Sequence, residues 1–416
     1  MSSSFKKWTA SLYYEGMFTF LRHSLASLSP VVRQLLAIVS IAGIGVGTGA
    51  GAARLMPAKP AEPTTVASIQ TTTTTSPTPA VTPTPTPVAS ARPKSAAENS
   101  PAPAKPAVKR QNFTWGISVN IFPFADQNEE FLPEQYRLAK ELGVKSVRID
   151  FAPNNPTASD AALAKAREAG LEVVMIIPFG PRDIFSDPSL DQSAYDYVAK
   201  IVKPRAGQVS VWQLATEPAS VAIKSAGHHG IDKGDYVDSR YQAVKTWLLA
   251  ASRAVKDNDP NTRRLINDQW VHTGFFDRFM KEGGDKAFEI LGWNWFSDMG
   301  SSLSRPTLDA KKKQTYELLA KLKSFGKPIW LTEVNRRRGS ADANEKAQAD
   351  FIESIAKQAY ADRSVAGLFV FNLIEDLSAP PAEQGYSIVN VDRSTRLVVG
   401  PKQAFHRYQA FIRDRR

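Results

Sequence analysis

The chain contains no cysteine, which excludes disulfides, thiolate metal sites and thiol nucleophiles. Several short chemical signatures are missing as well. No GxGxxG or GxxxxGK[ST] turn, no HExxH helix and no GxSxG elbow occurs anywhere in the sequence, so the usual phosphate-cradling, zinc-protease and serine-hydrolase patterns are absent. Large side chains are lacking from one stretch in particular: residues 55–110 hold 12 of the 28 prolines and not one Phe, Trp or Tyr. Without apolar bulk such a stretch cannot offset its ordering entropy, and repeated proline keeps it extended. It reads as a semi-rigid linker whose threonine runs are open to O-glycosylation.

Little of the net charge of +11 belongs to the part that can fold. Residues 1–110 carry 11 Lys/Arg against 3 Asp/Glu, and the remainder carries 41 against 38. A nearly neutral domain does not track phosphates, so nucleic acid is not an expected partner. Residues 35–53 are nineteen in a row without charge, enough for a helix of roughly 28 Å, close to the hydrocarbon thickness of a bilayer. Lys6, Lys7, Arg22 and Arg33 precede this run; Arg54 and Lys59 follow it. The bias predicts a cytoplasmic segment over 1–34, a single-pass inner-membrane anchor over 35–53, a linker over 54–111 and a folded domain over 112–416 on the periplasmic or extracellular side. Gly43, Gly47 and Gly51 fall at helical spacing and would let two anchors approach as a homodimer. A cleavable signal peptide ending at Gly51-Ala52-Ala53 is the alternative, and it too exports the domain.

From residue 112 onward, apolar runs alternate with amphipathic ones. Strands are predicted at 113–120, 145–151, 171–177, 208–215, 264–269, 290–296, 328–333 and 366–372. Helices are predicted at 130–142, 158–169, 191–203, 235–255, 275–282, 308–325, 343–360 and 402–413. Gly143, Gly170 and Gly326 each stand where a helix needs a left-handed residue before the next strand. Eight βα units in this length predict an α/β fold, a single (β/α)8 TIM barrel. An open doubly wound sheet is disfavoured because the turn after Asn120 carries no glycine.

Two of the predicted strands end in glutamate: Val211-Trp212-Gln213-Leu214-Ala215-Thr216-Glu217-Pro218 and Pro328-Ile329-Trp330-Leu331-Thr332-Glu333-Val334-Asn335. Pro218 forces the chain out of the strand, so Glu217 is presented to a loop at the barrel mouth. Glu333 lies three strands later and can face it across the barrel. Paired carboxylates from two strand ends are what cleavage of a glycosidic bond requires, one as nucleophile and one as acid/base. The Glu-Pro and Trp-Leu-Thr-Glu motifs resemble the signature of glycoside hydrolase clan A, and residues 113–416 look most similar to its family 5 and family 39 endoglycosidases. The resemblance implies that Glu217 is the general acid/base, that Glu333 is the nucleophile and that Arg148, in Val147-Arg148-Ile149-Asp150, supports Glu333. Gly385-Tyr386-Ser387-Ile388-Val389 and Gly400-Pro401-Lys402-Gln403-Ala404-Phe405 resemble the last loop and helix of the clan. The chain departs from the clan at three places. Thr216 stands where an asparagine contacts the sugar 2-hydroxyl, Phe296 where a tyrosine reaches the nucleophile, and Phe371 where a tryptophan underlies the sugar.

Aromatic residues gather at predicted strand ends, namely Phe122, Phe124, Phe179, Trp270, Trp293, Trp295 and Phe296, and such rings suit the apolar faces of sugars. Trp270 and Trp295 are the expected platforms. His272, Asn267, Asp268, Asn294, Asn335 and Asn372 are candidate hydroxyl partners, as is Thr216. His228-His229 lacks the third ligand that a metal site needs, so neither a metal nor a cofactor is expected. The function these observations predict is a retaining glycosidase that cuts internal β-linkages of a polysaccharide, with an exopolysaccharide or envelope glycan suggested by the tether. A catalytically impaired glycan-binding barrel that assists polysaccharide synthesis or export is the alternative. A barrel lyase or metal hydrolase is a further one.

Overall fold

The computed structural model describes residues 110, 112–121, 132–180, 185–225, 228–309, 313–341, 344–374, 385–392 and 394–416. The predicted cytoplasmic segment and anchor, the linker up to residue 109, Phe122 and Phe124 lie outside these residues. Among the described residues no helix is long and apolar enough to cross a membrane.

Twelve strands and nine helices are described. The strands are β1 (Thr114–Ser118), β2 (Ser146–Asp150), β3 (Glu172–Ile176), β4 (Val211–Gln213), β5 (Arg263–Asp268), β6 (Ile290–Phe296), β7 (Thr307–Asp309), β8 (Gln314–Thr315), β9 (Ile329–Asn335), β10 (Val365–Val370), β11 (Val389–Asp392) and β12 (Leu397–Pro401). The helices are α1 (Leu132–Leu142), α2 (Pro156–Glu168), α3 (Leu190–Val202), α4 (Pro218–Ala222), α5 (Asp238–Asn258), α6 (Thr273–Lys281), α7 (Leu318–Ser324), α8 (Glu345–Ala361) and α9 (Gln403–Arg413). Eight strands close into a parallel barrel in the order β1-β10-β9-β6-β5-β4-β3-β2. The expected (β/α)8 architecture is therefore present. Local signals agree with it: Asn155 caps α2 by accepting the N–H of Ala158 at 3.2 Å with Pro156 at the first turn. Gly143, Gly170 and Gly326 take φ of 86°, 74° and 68°.

The helix expected over 308–325 is a correction. Its first half is the β7–β8 hairpin, and only Leu318, Leu319 and Leu322, buried on one face of α7, keep helical spacing. Pro306 accepts the Tyr316 N–H through its carbonyl at 3.2 Å, holding this segment as a hairpin. The short helix α4 and the β11–β12 hairpin were not anticipated either.

Inside the barrel, Val174, Val211, Leu265, Ile290, Trp330 and Phe369 form a separate apolar plug. Its two rings lie where a side chain is missing: a Cβ at Gly116 would stand 2.2 Å from the Phe369 ring, and one at Gly367 would stand 3.0 Å from Trp330. Two residues further along their strands, Gln213, Asn267 and Thr332 are all fully buried. The interior thus changes from apolar to polar toward the carboxyl ends of the strands, the end at which barrel enzymes build their sites. At the opposite end Arg110 fastens the chain. Its guanidinium donates to the carbonyls of Tyr360 at 2.9 Å, Asp362 at 3.0 Å and Val365 at 2.7 Å, where α8 ends and β10 begins.

Candidate active site

Glu217 follows β4 and is the N-cap residue of α4, with φ 49° and ψ 54°. A left-handed conformation costs a residue with a Cβ about 1 kcal/mol or more. Pro218 fixes the next turn, and the fully buried carboxylate of Asp268 at the end of β5 accepts the Ala219 N–H at 2.8 Å. The turn is therefore held from β5 in the conformation that aims Glu217 inward. Glu333 is the fifth residue of β9 and pairs in register with Asn294 of β6. Asn294 in turn donates to Glu217 Oε1 at 2.6 Å. The two glutamates, more than a hundred residues apart in sequence, meet on either side of one asparagine.

Arg148 on β2 is 3 % exposed and reaches Glu333 Oε1 through Nη1 at 2.9 Å. It also donates from Nε to Gln213 Oε1 at 2.8 Å. The two carboxyls differ in their surroundings. Burial pushes the Glu217 carboxyl up to about 8, aided by the negative charges of Glu333 and Asp268 and opposed by the Asn294 hydrogen bond and the charge of Arg337. Burial also raises Glu333, but there the Arg148 charge and hydrogen bond pull the other way.

The remaining candidates divide. Trp270 is half-buried at the mouth with φ 51°, and its indole N–H points to His229 Nδ1 at 3.4 Å. His272 contacts Asp268 through Nδ1 at 2.8 Å, behind the Glu217 turn. Thr216 is exposed, and its Oγ1 accepts from Gln213 Nε2 at 3.1 Å. Asn372 is buried, and its Oδ1 has no hydrogen-bond partner among the described residues; neither have Ser118 Oγ and Arg148 Nη2. All three atoms are shielded from solvent, on β1, on β2 and just after β10.

Trp295 and Asn335 are not brought to the cleft. Trp295 is 1 % exposed and packs in the layer between barrel and helices, its N–H on the Gly300 carbonyl at 3.3 Å. Strand alternation requires this, because Asn294 beside it faces inward. Asn335 is fully buried and ties the last loop down, donating to the carbonyls of Phe371 and Tyr386 and accepting from Gln348 at 3.2 Å. Trp293 is fully buried, whereas Phe179 is half-buried. Phe296 packs edge-on to Phe371 and Tyr386, with ring centroids 6.2 and 5.7 Å away.

Three groups escaped the sequence reading. Gln213 and Thr332 were visible only as polar residues at inward positions of apolar runs. Arg337, which pairs with Asp298 at 3.0 Å and lies 4.4 Å above the Phe296 ring, stands in a run of three arginines with nothing to single it out. His228 bonds Asp235 through Nδ1 at 3.1 Å. Among the described residues no three His, Asp or Glu side chains are grouped as a metal site would need.

No protein-family model matches the sequence, and no curated protein sequence matches it either. Solved structures do match. A beta-glucosidase from Thermotoga maritima in complex with glucoimidazole aligns over 74 % of this chain and 99 % of its own at 15 % identity, with a TM-score of 0.53. Fpglu1 from Fervidobacterium pennivoraus aligns over 74 % and 97 % at 12 % identity, with a TM-score of 0.56. A Thermotoga maritima family 1 glycoside hydrolase complexed with a cyclophellitol analogue transition state mimic aligns over 74 % and 98 % at 15 % identity, with a TM-score of 0.52. At these identities the likeness is one of fold.

Proposed function

We propose that this chain is a retaining glycoside hydrolase of clan A that cuts β-linked polysaccharide. The observation that carries the proposal is the asymmetry of the two strand-end glutamates: Glu333 bound to a buried arginine at 2.9 Å, Glu217 held protonated by burial and by the charge opposite. Unlike partners in one site assign the roles: Glu333 is paired with a guanidinium, whereas Glu217 meets a neutral amide. Glu333, reacting as the carboxylate paired with Arg148, attacks the anomeric carbon while Glu217 gives its proton to the departing glycosidic oxygen. A glycosyl ester on Glu333 results. Glu217, now ionised, takes a proton from water as that water attacks the anomeric carbon and frees Glu333. The fold neighbours described as beta-glucosidases support this chemistry on the same scaffold. The resemblance to family 5 and family 39 endoglycosidases favours internal cleavage. The anchor and linker expected from the sequence over 35–53 and 54–111 favour an exopolysaccharide or envelope glycan as substrate.

The test is release of reducing ends from β-glucans, mannans and exopolysaccharides by wild type, Glu217→Gln and Glu333→Gln, with the anomeric configuration of the first product read by NMR. Retention by wild type and loss in both variants is expected, with a mass increment on Glu333 when a slow fluoroglycoside is used. Binding of glycans without reducing ends would make the protein a glycan-binding barrel instead. Inversion would place a water between the carboxyls.

A further inference from the structure

A chain of side-chain amides joins the two acids, and all of its hydrogen bonds point the same way. Arg148 Nε donates to Gln213 Oε1 at 2.8 Å; Gln213 Nε2 donates to Asn267 Oδ1 at 2.9 Å; Asn267 Nδ2 donates to Asn294 Oδ1 at 3.1 Å; Asn294 Nδ2 donates to Glu217 Oε1 at 2.6 Å. The oxygen and nitrogen of an amide are ordinarily interchangeable, so such a direction needs a cause. Three groups without a choice supply it. A guanidinium can only donate, which makes Gln213 present its oxygen to Arg148. The Ala215 carbonyl can only accept, and it receives Gln213 Nε2 at 3.0 Å. The backbone N–H of Glu217 can only donate, and it meets Asn267 Oδ1 at 3.2 Å. With Gln213 and Asn267 fixed, Asn267 Nδ2 and the Thr332 hydroxyl at 2.8 Å both face Asn294 Oδ1. Asn294 is left with a donor for Glu217 and no acceptor.

We infer that Gln213, Asn267 and Asn294 are positioning residues that fix the acid proton of Glu217 on Oε2, because the oxygen facing Asn294 is occupied by a donated N–H and cannot carry it. The inference rests on the assignment of Glu217 as the acid/base. During turnover the proton leaves from Oε2 and returns to Oε2, and Asn294 never exchanges it. A carboxyl with a free choice of oxygen would spend part of its time with the proton turned inward, where no substrate oxygen can receive it. Aligned amide dipoles also strengthen one another, so the last bond of the chain gains from those before it.

The charged groups acting on Glu217 are Glu333, Asp268 and Arg337; none of them is substituted in the experiment, and the variants are compared at the same two pH values. Infrared difference spectra between acid and alkaline solution are recorded on the full chain with carboxyl-labelled glutamate, and the Glu217 band is identified by its absence from Glu217→Gln. The protonated C=O stretch is expected at the lowered frequency of a hydrogen-bonded carbonyl, and to rise in Asn294→Leu. Asn267→Leu, which replaces neither acid, is expected to split the band, since Asn294 is then free to turn. A band in wild type at the position of an unbonded carbonyl overturns the inference. Kinetics give a second reading. Asn294→Leu removes the donor without adding a charge beside Glu217. Glycosides with poor leaving groups should then lose roughly 100-fold in rate, the contribution of a general acid, while activated aryl glycosides lose less than about threefold. Equal losses on both substrates overturn the proton placement. If wild type hydrolyses no glycoside at all, the proposed activity falls, and the infrared band still decides the direction of the chain.

Discussion

Replacing Glu217 with glutamine should stabilise the protein, and only above the pH at which an ordinary carboxyl ionises. In the folded chain Glu217 holds its proton up to about 8, against an ordinary value of 4.5. Below pH 4.5 both the folded and the unfolded state hold the proton, so Glu217→Gln gains nothing. Between 4.5 and about 8 only the unfolded chain ionises at this position, it binds fewer protons than the native state, and stability falls as pH rises. Above about 8 the folded state must also carry the charge and the penalty is constant. At 1.36 kcal/mol per tenfold change, the gap is worth about 5 kcal/mol as a ceiling, since the side chain keeps some contact with water. Glutamine keeps an oxygen for Asn294 and carries no charge for Glu333 and Asp268 to repel. For a domain of about 300 residues, 5 kcal/mol corresponds to roughly 8 °C in the unfolding midpoint. Differential scanning fluorimetry of the two chains from pH 4 to 9 checks this. The two midpoints should coincide near pH 4.5 and separate by several degrees at pH 8.5. A separation that does not change with pH, or a less stable variant at pH 8.5, would refute the account of how burial and the facing charges act on this acid.

Arg148→Met leaves a buried carboxylate without its cation and takes the donor from Gln213 Oε1. It should cost about 3–5 kcal/mol by urea denaturation near pH 8 and clearly less at pH 4, where Glu333 can take up a proton; an equal loss at both would show that the charge is not what matters. Gly116→Ala would drive a Cβ to within 2.2 Å of the Phe369 ring and should destabilise by about 1–3 kcal/mol. Adding Phe369→Leu to that variant should restore part of the thermal midpoint.

The barrel was legible in the sequence because its strands are short apolar runs and several of its helices stop at a glycine: Gly143, Gly170 and Gly326 mark three of these boundaries by residue type alone. Glu217 and Glu333 were legible for the same reason, each being a charge at the end of such a run. What lies between them was not. Gln213, Asn267 and Asn294 belong to β4, β5 and β6, and their contact depends on the register by which these strands pair, which no local pattern encodes. Trp295 shows a different limit. Asn294 and Trp295 were both expected at the cleft, yet neighbours on a strand face opposite ways, and only a decision about which face is inward separates them. The segment 308–325 misled because its apolar residues suit either a helix or a hairpin until the pairing of Thr307 with Thr315 is known.

The clasp made by Arg110 decides which end of the barrel takes up strain from residue 110. Three carbonyl grips in the angle between α8 and β10 secure Arg110 at the rear of the cylinder, so a pull applied at this residue loads the floor of the barrel and leaves the doorway untouched. Whatever is joined at residue 110 is thereby kept out of the space between Glu217 and Glu333 by the depth of the cylinder itself.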